Sequence, residues 1–551
     1  MNTTMNTTVR LLAALIATAT LAPAARAQAP KPNILLILAD DMGFSDPHCY
    51  GGDIDTPNLD SLAGTGLRFT DFHNTSRCWP TRSAVLTGYY PQEIHMDPPR
   101  GLLPRWTRLI PHYLKPLGYR CYQSGKWHVN GAPLVCADGG FDHSYKIDDH
   151  NNFFHPQKHT EDDKPLPPVK PGSNFYLTTF IADHCIKCLK EHQQQHPNEP
   201  FFSYLAFTSP HFPLMAPAAD IAKYKDRYLD GWDAMREKRY EREKQLGIVT
   251  CELSQRDPVN VPAWNLTEAE LKKQIGPGEV GHDVAWDSLT PVQKRFQATK
   301  MAIHAAMVDR MDQEIGRVLA QLKAMNAFDN TLIMFISDNG ASAEQIIRGD
   351  GEDPSAPPGS DKSFLCLGPG FANACNTPFR LYKTWVHEGG QSTPLIVHWT
   401  NGIKDRNQLR HTPGHVTDFL PTLLDLTGAH PAPTWNNQTP PPLPGRSILP
   451  AFASDATIDH PYIYFNHIQH RALRIGNWKL VSLSPDPATW ELYDLATDRS
   501  ELHNLATSEP DRVKQMSEQW TRLDKQFEQE AGPVLDAGKK ARKKNKKQAE
   551  E

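Results

Sequence analysis

The sequence predicts an α/β protein, with a central buried sheet flanked by helices and a smaller α+β subdomain toward the C-terminus. Three observations predict it. Asn33–Ala39, Phe201–Phe207 and Thr331–Ser337 are continuous apolar runs, the pattern of strands covered on both faces, as in a parallel sheet. Gln293–Met325 is patterned as a long helix, with Met307, Met311, Ile315, Leu319 and Leu322 along one side, and it leads into the third run. After a proline-dense stretch (Pro431 to Pro444), short alternating runs and a Gly476-Asn477 turn signal predict hairpins.

Composition sets the frame for these elements. The 551 residues can bury a large core, and 39% hydrophobic with 22% charged residues is ordinary for a globular protein. A net charge of −5 gives no global basic field, which argues against a nucleic-acid partner. Met1–Ala27 carries Arg10, an apolar Leu11–Leu21 run and an Ala25-Arg26-Ala27 cleavage pattern. It reads as a secretory signal, so residues 1–27 are expected to be removed and the protein exported, periplasmic or secreted. No apolar run is long enough for stable membrane insertion.

Taken in order, the elements deliver polar residues to one place. The first strand ends in Asp40-Asp41, and open α/β sheets bind ligands beyond the carboxyl ends of their strands. Asp53–Ala63 reads as a turn and a short helix, and Gly66–Thr70 as a strand. In Arg77–Gly88, Pro80 suits the first turn of a helix that runs to Thr87 and stops at Gly88. Cys78 then sits just before a helix N-terminus, where free N–H groups favour an anion, with Arg82 about one turn on. Gly118–His128 is a strand whose extended end would put Lys126 and His128 on one side, a cation and a titratable ring suited to anion binding and proton transfer. His211 follows the Phe201–Phe207 strand.

Residues from about 213 to 290 read as an insertion over the active-site face, helical in its charged first half (Lys223–Leu246) and shaping substrate access. Its Trp232, Trp264 and Trp286 either stack on a ring or belong to the core. Thr331–Ser337 ends in Asp338-Asn339-Gly340. Two such strands side by side converge three carboxylates and an amide oxygen, a set that calls for a hard divalent cation, Ca²⁺ or Mg²⁺ rather than zinc. Pro378–Gly390 brings Lys383, and Thr393–Trp399 is a strand. His415–Leu424 opens a helix, and a terminal helix covers Glu509–Glu530. The lysine-rich tail from Lys539 to Lys547 reads as a solvated end or, alternatively, a contact for an anionic surface. Of the nine cysteines, Cys185 and Cys188 lack a second pair at zinc spacing; with Cys78 set aside, the other eight permit up to four disulfides.

Cys78-x-Pro80-x-Arg82, followed by Leu86-Thr87-Gly88, resembles the maturation signature of type I, arylsulfatase-like sulfatases, although Trp79 is bulky where that family usually has a small residue. Gly125-Lys126-Trp127-His128 and the Lys383…Glu388-Gly389-Gly390 segment resemble further family segments, in family order. The resemblance implies an alkaline-phosphatase-like α/β fold with a central mixed sheet, and a catalytic domain over 28–430. A C-terminal subdomain over 431–535 and a basic tail over 536–551 follow. It implies that a maturation enzyme oxidises Cys78 to formylglycine, whose hydrate attacks sulfur. One Ca²⁺ is held by Asp40, Asp41, Asp338, Asn339 and position 78. Lys126, Lys383 and Arg82 neutralise the sulfate. His211 with Lys383 assists the leaving alcohol or phenol, and His128 deprotonates the remaining hydroxyl to expel sulfate. The substrate is then a small-molecule or carbohydrate sulfate ester. Two rivals remain open on sequence: a formylglycine-type phosphonate or phosphodiester hydrolase on the same scaffold, and a secreted carbohydrate-binding pseudoenzyme with an unmodified Cys78.

Overall fold

The three apolar runs lie side by side at the centre of a ten-stranded sheet. The computed structural model describes residues 31–147, 151–349, 351–483 and 489–535; the N-terminal signal reading and the basic tail fall outside the described residues. Strand Asn33–Asp40 runs parallel to both Phe201–Pro210 and Thr331–Ser337, with Ile34 opposite Phe202 on one side and Leu332 on the other. Arg120–Lys126 adds a fourth parallel strand beside Phe201–Pro210. Leu395–His398 pairs antiparallel with Thr331–Ser337, which makes the sheet mixed. Leu67–Phe69 and Gln408–Arg410 close that edge, and His143–Ile147, His159–Glu161 and Lys164–Pro165 the other.

The runs are apolar throughout because both sheet faces are covered. Leu35 and Ile37 pack into one core, with helices Leu177–Gln195 and Pro291–Ala324; Ile34, Leu36 and Leu38 pack into the opposite core, with helices Cys78–Thr87 and Phe419–Thr427. The four central strands all run the same way, so their carboxyl ends, carrying Asp40, Lys126, Pro210 and Ser337, lie along one edge of the sheet. Thr290 starts the 34-residue helix by capping Gln293, with Gln293 returning the bond.

Several local expectations are corrected. The helix at the signature begins at Cys78, two residues before Pro80, so Cys78 occupies its first turn; Gly88 ends it at φ 76°. A proline is tolerated anywhere in that turn because its N–H has no intrahelical acceptor there. The insertion holds helices Ala218–Tyr224 and Gly231–Gln245. It also holds Glu268–Gln274, whose Thr267/Glu270 capping box was present in the sequence as a Thr-x-x-Glu pattern. Trp232 and Trp286 are core, packed edge to face at 4.7 Å. None of the nine cysteines is in a disulfide; Cys185 and Cys188 face the apolar core from a single helix.

The C-terminal region is a four-stranded antiparallel sheet of Ile463–His467, His470–Ile475, Trp478–Ser482 and Glu491–Asp494. Helix Pro510–Ala531 covers it with Met516, Trp520, Leu523 and Phe527. Buried charge ties this sheet to the segment that carries Lys383. Lys479 Nζ lies 2.8 Å from Glu388 Oε1 and 2.7 Å from Glu501 Oε1, all three fully buried. Arg474 grips Asp71 with two bonds of 2.9 and 2.8 Å. Burial alone would raise the Glu388 carboxyl, but Lys479 and His73 hold it well below the usual carboxylate range. Lys479→Met is therefore expected to destabilise the fold by about 3–5 kcal/mol, since it leaves the buried Glu501 without its cation and Glu388 with only His73 and Arg499; urea unfolding would read this as a lowered midpoint.

Candidate active site

Four elements meet at the carboxyl edge of the sheet. Strand Asn33–Asp40 delivers Asp40 and Asp41, and Thr331–Ser337 delivers Asp338 and Asn339. Helix Cys78–Thr87 delivers Cys78 and Arg82, and Arg120–Lys126 delivers Lys126. Ligand atoms of Asp40, Cys78 and Asp338 all lie within 4.8 Å of one another, as do those of Asp40, Asp41 and His211. Every one of these side chains is buried.

Like charges are held together here by on-chain cations. Lys126 Nζ lies 2.6 Å from Asp40 Oδ2, and Lys383 Nζ lies 2.8 Å from Asp41 Oδ1 and 3.0 Å from Glu344 Oε2. Arg82 gives its Nε–H to Asp338 Oδ2 at 2.7 Å, and its remaining nitrogens to the carbonyls of Lys126 and Phe207. The guanidinium is thus turned to Asp338 and the strand ends. Arg77 completes the set on Glu344 at 3.0 Å. Four carboxylates (Asp40, Asp41, Asp338, Glu344) thereby face four cations (Lys126, Lys383, Arg82, Arg77). Glu344 and Arg77 escaped the sequence reading, because neither stands in a strand-end or signature position that marks it.

The electrostatics follow from burial set against these partners. Burial and the neighbouring Asp40 push Asp338 up to about 7, with Arg82 and Lys126 opposing. Burial likewise raises Asp41, against Lys383, whereas Lys126 and Arg82 overcome burial at Asp40 and hold it low. Burial works against the charge on Lys383, yet Asp41 and Glu344 keep its pKa above the ordinary lysine value. Burial pushes the Cys78 thiol up, against Lys126 and Lys383.

Two buried oxygens, Asp40 Oδ1 and Asn339 Oδ1, have no hydrogen-bond partner. Asn339 spends its Nδ2–H on Asp41 Oδ1 at 2.7 Å, which leaves the amide oxygen available. Orphaned buried acceptors within an all-oxygen set are what a hard cation satisfies, so these residues fit a hard divalent cation.

The backbone is contorted where it carries these groups. Asp41 (φ 66°), Ser76 (62°), His128 (53°), Leu381 (64°) and Thr384 (90°) all adopt left-handed conformations beside site residues, and for a β-branched threonine that is an outlier. The turn at His128 overturns the extended geometry expected for Lys126 and His128. Lys126 reaches Asp40, while the His128 ring packs against Trp79 at 5.7 Å. Gly340 and Gly389 bring the Asp338 and Lys383 segments together: a Cβ on Gly340 would lie 2.0 Å from the Gly389 carbonyl oxygen. His387, given no role on sequence, is buried and pairs with Glu491 of the C-terminal sheet at 2.9 Å.

A charge-balanced floor of four carboxylates and four cations thus surrounds a buried cysteine on a mixed α/β sheet. The sulfatase family profile matches residues 32–429, and the profile described as N-sulphoglucosamine sulphohydrolase, C-terminal, matches residues 379–529. The chain belongs to the sulfatase family, enzymes that hydrolyse sulfate esters. It is 31% identical to an uncharacterized sulfatase of Schizosaccharomyces pombe, over 90% of this chain and 94% of the relative. It is 30% identical to the arylsulfatase of Klebsiella aerogenes, over 74% and 88%. Among solved structures, Ps i-CgsB in complex with k-i-k-neocarrahexaose shares the fold, at TM-score 0.62 and 23% identity over 92% of this chain and 95% of that one. The phosphonate monoester hydrolase of Silicibacter pomeroyi also shares it, at TM-score 0.54 and 19% identity over 92% and 96%. Among the described residues, no helix is long and apolar enough to cross a membrane.

Proposed function

We propose that this chain hydrolyses aryl or carbohydrate sulfate esters through a formylglycine at position 78 and one Ca²⁺. The observation that carries the reading is the meeting of Cys78 with Asp40 and Asp338 in one buried cluster. Asp40, Asp41, Asp338 and Asn339, together with position 78, would hold the cation. With four carboxylates already matched by four cations, a bound Ca²⁺ leaves the site with a net positive charge for the sulfate oxygens. The hydrated aldehyde supplies two hydroxyls, one to attack sulfur and one whose deprotonation expels sulfate.

The chain's own residues do the rest. Lys126 and Lys383 bind sulfate oxygens, and Arg82 fixes Asp338 and the adjoining strand ends. His211, whose Nε2 lies 3.7 Å from Asp41 Oδ2, assists the leaving oxygen together with Lys383. His128 takes the proton from the second hydroxyl. Maturation in an exporting host, with Met1–Ala27 removed, belongs to the same proposal.

Two measurements test it. In protein from a host that carries the maturation enzyme, mass spectrometry of the tryptic peptide Cys78–Arg82 is expected to show aldehyde in place of thiol. Turnover of a matched pair of aryl sulfate and aryl phosphonate esters is expected to favour the sulfate. An unmodified thiol sinks the mechanism, and a preference for the phosphonate moves the reading to the hydrolase that shares the fold.

A further inference from the structure

Trp264 is the only aromatic among the exposed large apolar side chains of the described residues, at 38% exposed. It comes from the insertion, yet it is bound into the active site. Its indole N–H donates to Glu344 Oε1 at 2.8 Å, and the other oxygen of Glu344 holds Lys383 at 3.0 Å. The Arg77 guanidinium, one residue before Cys78, lies 5.2 Å from the ring centroid of Trp264 and 5.2 Å from that of Trp79. Arg77 is itself anchored to Glu344 and to Thr384 Oγ1 at 2.7 Å. Trp79 in turn packs against His128. A layered array of Trp79, Arg77 and Trp264 therefore links the His128 side of the site to the Lys383 side.

Held this way, the exposed indole has its one polar group committed to the protein. What it offers a ligand is the apolar π-surface that Arg77 does not cover, tied through Glu344 to the lysine that serves the leaving group. The charge of Arg77 is matched by Glu344, so the array is not a second anion site. Arg77 and Trp79 also bring unpartnered buried donors, Nε and Nε1, to the same wall. A wall of indole and guanidinium planes suits a flat or puckered ring with an apolar face and acceptor oxygens at its edge.

Resting on the sulfatase reading, we propose that Trp264 is the specificity-determining residue: the ring bearing the sulfate ester, an arene or the apolar face of a pyranose, stacks on it. The bulky Trp79 of the signature is the inner course of the same wall.

Trp264→Ala and Trp264→Phe would be assayed on 4-nitrophenyl sulfate and on galactose 6-sulfate, with inorganic sulfate as a product inhibitor. Trp264→Ala is expected to raise KM for a ring ester roughly ten-fold with kcat nearly constant, the size expected of one stacked ring. Inhibition by inorganic sulfate, which needs only the anion floor, should be unchanged. Trp264→Phe, which keeps a ring but loses the N–H to Glu344, should stay close to wild type. A larger KM effect on the arene assigns an aryl substrate, and a larger effect on the sugar assigns a pyranose; either supports the proposal. It is overturned if KM does not move for either ester in Trp264→Ala. It is equally overturned if Trp264→Phe is as impaired as Trp264→Ala while inhibition by sulfate weakens in parallel, because the indole would then act only by holding Glu344. A wild-type enzyme that turns over no sulfate ester overturns the sulfatase reading and this proposal with it.

Discussion

Replacing Cys78 by serine is expected to lower sulfate-ester turnover by roughly 10⁴-fold or more while leaving the fold intact. The two side chains are nearly the same size, and Cys78 lies in the first turn of a helix that is buried on all sides, so the exchange leaves no cavity. Chemistry is another matter. A serine hydroxyl could at best accept the sulfuryl group once, forming an ester with no second hydroxyl to expel it, and water would then have to attack a stable sulfate ester. A single-turnover burst with no steady state, or no turnover at all, fits the proposal. Sustained turnover by Cys78→Ser would sink it, because an ordinary alcohol would then suffice. Far-ultraviolet circular dichroism and the urea midpoint of the same preparation separate lost chemistry from lost fold.

Much of this site was legible because its residues sit where the chain's period changes. Asp40-Asp41 and Asp338-Asn339 end runs apolar on both faces, and such strands deliver whatever follows them to the ligand-binding edge of the sheet. The Pro80 and Gly88 punctuation located the helix carrying Cys78, though its start lay two residues earlier than a proline-first reading gives. What escaped was set by tertiary contact alone. Glu344 lies in a loop without periodicity, and only the folded chain brings it between Lys383, Arg77 and Trp264. The left-handed turn at His128 was likewise not legible, because the residue that adopts it is itself neither glycine nor asparagine. The short edge strands His159–Glu161 and Lys164–Pro165 are too brief and too polar for an alternation pattern.

The Asp338–Arg82 pair couples the site's chemistry to the stability of the whole sheet. Both side chains are fully buried, and Arg82 Nε lies 2.7 Å from Asp338 Oδ2 while its other nitrogens bind the carbonyls of Lys126 and Phe207, at the ends of the strands that flank the site. Asp338→Asn leaves the guanidinium buried without its nearest carboxylate and removes one oxygen donor from the proposed cation site. It is expected to cost about 3–5 kcal/mol in urea unfolding and roughly 10²–10³-fold in turnover, with calcium binding by calorimetry weakened. Adding Arg82→Met to this variant removes the stranded charge and should recover part of the stability, since replacing both members of a buried pair is far less costly than breaking it. Activity and calcium affinity should not recover with it, because the missing donor stays missing. That split, stability regained without function, is what distinguishes a carboxylate that holds the cation from one that only neutralises an arginine. If the double variant instead regained calcium binding, Asp338 would be a structural counter-ion, and Asp40, Asp41 and Asn339 would have to hold the cation without it.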